Sequence, residues 1–277
     1  MIPLKFAPLV IELELVSDAT DCIVTPGINA TFTVDNTTSN WEINQCMIKC
    51  DICTLDNALH NQYVSHLLEG KALPIKYDTF ITQQQSIKGM QDIAVNVSRA
   101  VSLLKSVFIT FFQSNQPATA DGDPQLFAKK LVNKQAIEFS HPMAWVMDGS
   151  YDKDLELQWQ LQLGSKLYPE YPVQSLSESF YHLKKTLNLP EWHQHSISFN
   201  FNQYKKTKFI LAMNFEKVPE ASFTGENTKA GQLLYIRLKP ANSTAILTQD
   251  RMFDSMFVTL HSEQTVELRD VGCTVFD

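Results

Sequence analysis

Basic residues are in short supply. The 23 Lys and Arg are outnumbered by 30 Asp and Glu, for a formal charge of -7 and an isoelectric point near 5.5. A surface built to neutralise phosphates needs clustered cations, so direct nucleic-acid binding is not expected; the group Lys205, Lys206 and Lys208 reads as a solvated strand end or turn. Glycine is equally sparse, with nine in 277 residues. The nearest pair, Gly225 and Gly231, is six positions apart, so neither a G-x-G-x-x-G turn nor a phosphate-cradling loop can be built. No G-x-S-x-G elbow occurs either.

Long apolar runs are also lacking. The longest, around VFITFF, is far short of the roughly 20 residues a membrane helix needs, and Lys105 stands just upstream. The opening MIPLKFAPLVIELELV carries Glu12 and Glu14 within its apolar stretch and has no small-residue cleavage site, so it reads as a strand rather than a signal peptide. Five cysteines, an odd number without a visible secretion signal, suggest reduced thiols in a protein made in the cytoplasm or nucleus. The sequons at Asn29, Asn36, Asn96 and Asn242 are then chance matches.

What the chain has in quantity is strand-forming material: 17 Phe, 8 Tyr and 4 Trp within a 44% hydrophobic composition. Such side chains pack well on pleated surfaces. Alternation with a period of two is the dominant pattern. Leu155, Leu157, Trp159, Leu161 and Leu163 share one face, with Glu156, Gln158, Gln160 and Gln162 on the other. Leu9, Ile11, Leu13 and Leu15 oppose Glu12 and Glu14 in the same way. Further strands are expected at 28–34, 41–54, 75–83, 106–113, 135–140, 196–202, 208–215, 232–239, 256–261 and 265–269.

Two helices interrupt them. One starts at the N-cap Asp56, carries Leu59, Tyr63, Leu67, Val64 and Leu68 on one face and stops at Gly70. The other opens with a Ser175 to Glu178 capping box, presents Leu176, Phe180, Leu183 and Leu187, and is stopped by Pro190. Segments 114–124 and 217–230 read as exposed loops. The sum is an all-β sandwich or barrel with two short helices.

Candidate chemistry is thin. Cys46, Cys50 and Cys53 match a C-x3-C-x2-C iron–sulfur spacing. Along one strand, however, Cys46 and Cys50 would share a face with Ile48 and Ile52 while Cys53 points away, so buried structural cysteines are the better reading. His193 and His195 could offer two imidazoles on one face, but no third ligand accompanies them. These two, His141 and His261 read as loop or strand-surface histidines. No catalytic, cofactor-binding or metal-ligating residue is expected, no cofactor, and no enzyme activity.

Several segments carry a resemblance. PLVIELELV, CDICTLDNALHNQYVSHLLEGKALPIKYDTFITQQQSI, SRAVSLLKSVFITFF, LGSKLYPEYPVQSLSESFYHL, FTGENTKAGQLLYIRLK and MFVTLHSEQTVELRDVGCTVFD resemble the double jelly-roll major capsid proteins of Polinton-like elements, virophages and related eukaryotic DNA viruses. The resemblance implies a jelly-roll β-sandwich, the second half of a double jelly roll plus the end of the first. Residues 1–55 would be terminal strands of a truncated first jelly roll, 56–70 a linking helix and 71–277 the C-terminal jelly roll. It further implies homotrimers, pseudo-hexagonal capsomers tiling an icosahedral shell, contacts with penton or minor capsid proteins, and location in the virion. Two other uses of such a sandwich are a carbohydrate-binding or cupin-like module, and a virus-derived cellular interaction protein.

Overall fold

Leu157, Trp159, Leu161 and Leu163 turn inward from one strand while Gln158 and Gln162 face outward, and that design recurs through the molecule. The fold is taken from a computed structural model that describes residues 3–6, 8–15, 40–87, 92–112, 139, 141, 156–187, 199–217, 225–229, 231–240, 255–270 and 272–276.

The described strands are β1 (Leu73–Ser86), β2 (Ile93–Val97), β3 (Leu104–Phe112), β4 (Leu157–Leu163), β5 (Lys166–Val173), β6 (Leu211–Asn214), β7 (Leu234–Pro240), β8 (Ser255–Arg269) and β9 (Gly272–Phe276). One sheet runs β1-β8-β3-β6, with β9 also on β8, and the other runs β2-β7-β4-β5. Every pairing between these strands is antiparallel. Lettered B to I in chain order, β1 to β8 give the sheets B-I-D-G and C-H-E-F, the strand order of a jelly roll. The chain is therefore an all-β jelly-roll sandwich.

The inner faces meet in a single apolar core. Val95, Val97, Trp159, Leu161 and Ile236 from one sheet bury against Val107, Ile109, Leu211, Val258 and Leu260 from the other. Each such side chain contributes about 1.5–3 kcal/mol on burial. β8 carries the first sheet: β1 pairs along one edge from Leu268 to Ser255, while β3 and then β9 share the other. Because β1 pairs with it without a break from Ser255 to Leu268, the two strands expected at 256–261 and 265–269 are one.

β5 was not expected. Its Pro169 and Pro172 argue against a central strand, but among the described strands β5 is the terminal one of its sheet, where a missing N–H is tolerated.

Helix α1 (Asn57–Leu68) is capped as anticipated, Leu59 N–H donating to Asp56 Oδ1 at 2.7 Å. Gly70 follows at φ +75°, a conformation that suits a residue without Cβ. Of its apolar face only Leu67 is buried, and Leu59, Tyr63 and Leu68 remain exposed, so among the described residues α1 does not cover a sheet as its spacing suggests.

Helix α2 (Leu176–Thr186) buries Leu176 and Leu183 and rests Phe180 on the core. Ser175 caps it, but Glu178 reaches back to the N–H of Gln174 rather than of Ser175, so the expected box is only half formed. A third helix, α3 (Phe201–Thr207), replaces the end of the strand expected at 196–202. There Asn200 and Gln203 cap each other's backbone N–H reciprocally, a local device that overrides the alternation.

The expected strand at 28–34 lies outside the described residues, as does most of that at 135–140, of which Phe139 forms a single parallel bridge with Lys208. Residues 8–15 and 40–53 are described and form no strand at all.

Candidate assembly surfaces

The surface features that could carry function are sheet edges, sheet faces and unpaired segments. Among the described residues no group of three or more His, Cys, Asp or Glu could hold a metal ion. No described helix is long and apolar enough to cross a membrane.

The outer face of the β1-β8-β3 sheet carries a mixed patch. Cross-strand register sets Phe80 beside His261 and Asp78 beside Glu263. The Phe80 ring, 62% exposed, stacks on the His261 imidazole with centroids 4.6 Å apart. His261 Nδ1 is 3.0 Å from Ser106 Oγ and its Nε2 is 3.4 Å from Asp78 Oδ1.

Lys105 joins the two carboxylates, its Nζ 2.7 Å from Asp78 and 3.3 Å from Glu263, and Lys76 reaches Glu263 from the other side at 3.3 Å. Partial burial works against both charges. For Asp78 it is outweighed by the Lys105 hydrogen bond and charge, helped by His261, which hold the carboxyl below its usual range. For Lys105 it is outweighed by Asp78 and Glu263, which raise the ammonium pKa. This cluster had no sequence signature, because its members are brought together only by strand register.

Beyond β3, the same edge of β8 is taken by β9, whose five residues are all exposed, Val275 and Phe276 included. β1 forms the rim of this sheet, pairing only with β8 among the described strands along its 14 residues. A long rim strand with exposed Tyr77 and Phe80 is the kind of edge that accepts another chain.

The outer face of the other sheet is polar. A shallow groove of about 270 Å³ there is lined by Asp92, Gln158, Gln160, Pro172, Arg237 and Lys239, and is smaller than the ~300–1,000 Å³ typical of small-molecule sites. The Gln160 amide is committed to the carbonyls of Pro169 and Glu170 at 3.0 and 3.1 Å. A cupin-like module would need several polar ligands on the inward positions, and among the described residues these are mostly Val, Ile, Leu, Met, Phe and Trp, with Ser262 a buried polar exception.

The singled-out residues fall as follows. Cys46, Cys50 and Cys53 are free and exposed, which corrects the expectation of buried cysteines: no strand forms there to give them an inner face. The left-handed φ of +56° at Gln45 breaks the backbone just before them. His141 is a second correction. It is 3% exposed, tilted on Phe209 with centroids 4.2 Å apart, and burial drives its pKa down to about 3. His261 sits on a strand surface as read, though within the cluster above. His193 and His195 lie outside the described residues. Glu12 and Glu14 are exposed, on a segment that forms no sheet.

The order of strands defines the class, a jelly-roll sandwich whose distinctive described features are edges and faces. No protein-family model matches the chain, and no curated protein does.

Among solved structures it is similar to PBCV-1 VP54 fitted into a cryo-EM reconstruction of the virophage Sputnik, at 9% identity and TM-score 0.43, over 80% of this chain and 55% of that one. It is also similar to the PBCV-1 virus capsid quasi-atomic model, at 10% identity and TM-score 0.40 over 80% and 55%. For the Sputnik virophage cryo-EM structure the identity is 9% and the TM-score 0.35, over 74% and 39%. The chain spans about half the length of the first two and less of the third.

Proposed function

We propose that this chain is a structural subunit of a virion shell, related to the double jelly-roll major capsid proteins of eukaryotic DNA viruses, and not an enzyme. The observation that carries the reading is the B-I-D-G and C-H-E-F strand order around an apolar core of the described residues. Such a molecule acts through its outside. The rim strand β1, the exposed β9, the Phe80 patch and the exposed residues 8–15 and 46–53 supply that outside. The segment resemblance described above points in the same direction.

In this reading residues 1–55 are terminal strands of a first sandwich, residues 56–70 link it, and residues 71–277 form the second. The subunits associate as homotrimers, the building unit of a pseudo-hexagonal capsomer, and sit in the capsid beside penton or minor capsid proteins. The acidic surface leaves genome neutralisation to other molecules.

Size exclusion coupled to light scattering tests it. A mass near three times the 31.5 kDa chain, or larger shells seen by microscopy, is expected. A strictly monomeric protein over the micromolar range would overturn it.

A further inference from the structure

The groove on the outer face of the β2-β7-β4-β5 sheet carries a chemistry that the fold itself does not require. Cross-strand register sets Arg237 of β7 between Ala94 of β2 and Gln160 of β4, with Lys239 opposite Gln158 one step along. At Ala94 a methyl group stands where a longer side chain would fill the row, so the sheet surface dips beside the guanidinium. In an acidic chain carboxylates are easily found, and the strand cations Lys76, Lys105 and Lys166 each have one within 3.4 Å. Arg237 and Lys239 pair with none among the described residues, although Asp92 lines the same groove. The Arg237 guanidinium lies 5.1 Å from the centroid of the Tyr235 ring, which holds it in place and leaves its N–H donors available.

Acceptors sit beside these cations. Gln160 is only 8% exposed, and its Nε2 donates to the carbonyls of Pro169 and Glu170. Those two acceptors fix which end of the amide is nitrogen and leave Oε1 free to accept. The Asp92 carboxylate is a second acceptor. A ligand that satisfies both sets brings an anionic group for Arg237 and Lys239 together with O–H donors for Gln160 and Asp92. A simple dicarboxylate or a phosphate chain brings charge without hydroxyl donors, and Asp92 repels it.

We propose that this groove binds one acidic sugar residue of the hexuronic type, its carboxylate on Arg237 and Lys239 and its hydroxyls donating to Asp92 and Gln160. The volume of about 270 Å³ suits a single ring. Binding at one shallow site is weak, and copies repeated over a shell would act together on a glycan-bearing surface. The site is complete within one chain, so it does not depend on assembly.

Methyl β-glucuronide is the probe, titrated into the purified full chain and followed by saturation-transfer NMR. A Kd on the order of 1–10 mM is expected. Methyl β-glucoside, which lacks the carboxylate, and acetate, which lacks the ring, should each bind about tenfold more weakly, as should the glucuronide to Arg237→Gln. Ala94→Tyr fills the dip without touching a charge, and tyrosine suits an exposed strand, so it should abolish binding with the thermal midpoint kept. Asp92→Asn should narrow the gap between glucuronide and acetate, because the carboxylate that accepts from the hydroxyls and repels anions is gone.

Acetate binding as well as the glucuronide would reduce the groove to a plain anion patch and overturn the sugar assignment. Glucuronide binding that survives Ala94→Tyr would place the sugar elsewhere and overturn the site. No glucuronide signal at about 50 mM would overturn the proposal outright. None of these outcomes bears on the virion-shell reading, and a monomer by light scattering would sink that reading while leaving the groove untouched.

Discussion

The indole Nε1–H of Trp159 donates to the Ser179 hydroxyl at 2.9 Å, and neither side chain is open to water. This bond ties the centre of the β2-β7-β4-β5 sheet to helix α2, whose Ser179 hydroxyl in turn donates to Ser175 O at 3.1 Å. Removing one partner leaves a buried donor without an acceptor. Ser179→Ala should therefore cost about 1–3 kcal/mol in urea unfolding. Adding Trp159→Phe should cost less than the sum of the two single changes, because the stranded N–H goes with the ring. Strict additivity in that double-mutant cycle would mean that the bond does not couple the sheet to the helix.

Gly225 is a site of close approach. Its φ is +149°, and a Cβ placed there would lie 2.7 Å from the Leu104 carbonyl oxygen, on backbone that cannot easily yield. The adjacent Glu226 exchanges both backbone hydrogen bonds with Leu104, at 2.8 and 3.0 Å, so the contact fixes the start of β3. Gly225→Ala is expected to lower stability by about 2 kcal/mol or more through strain and loss of that bridge. Thermal unfolding with a midpoint unchanged within a degree would refute the packing described.

His141 makes stability depend on acid. Its folded pKa, about 3, lies below the ordinary value of 6.5, because burial disfavours the imidazolium. An unfolded chain therefore takes up this proton first as pH falls. The stabilisation is fully present above about pH 6.5 and is lost progressively toward pH 3, with a slope approaching ~1.4 kcal/mol per pH unit. His141→Phe should flatten that part of the profile, whatever it does to stability at neutral pH. Denaturant midpoints between pH 7 and pH 4 measure it, and identical slopes for the two proteins would count against a buried neutral imidazole.

The legible parts of this fold are those whose information is local. β4 announces itself through Leu157, Trp159, Leu161 and Leu163, and the starts of α1 and α2 through Asp56 and Ser175, since each needs only its own neighbours. β5 was hidden by Pro169 and Pro172, which become acceptable only once it is known to be a rim strand. α3 was hidden because its reciprocal cap competes with an apolar alternation that also suits a strand.

Residues 8–15 and 46–53 mark the opposite limit. Alternation records the capacity to be a strand and says nothing of where the partner is. The Lys105, Asp78 and Glu263 cluster was out of reach for a related reason: its three members come from β3, β1 and β8, and no spacing along the chain encodes their register.

The pairing of β1 with β8 has a temporal consequence. Tyr77 and its partner Gln264 are 187 positions apart, and β1, β3 and β9 all attach to that one late strand. During synthesis from the N-terminus, β1 and β3 emerge long before the element that joins them exists. The sheet therefore forms only once β8 leaves the ribosome, and loop-closure entropy over such separations makes that step slow. Until then the nascent polypeptide presents unsatisfied strand edges to its neighbours, so crowded polysomes making this protein would depend on chaperone shielding more than those making a helical protein of equal length.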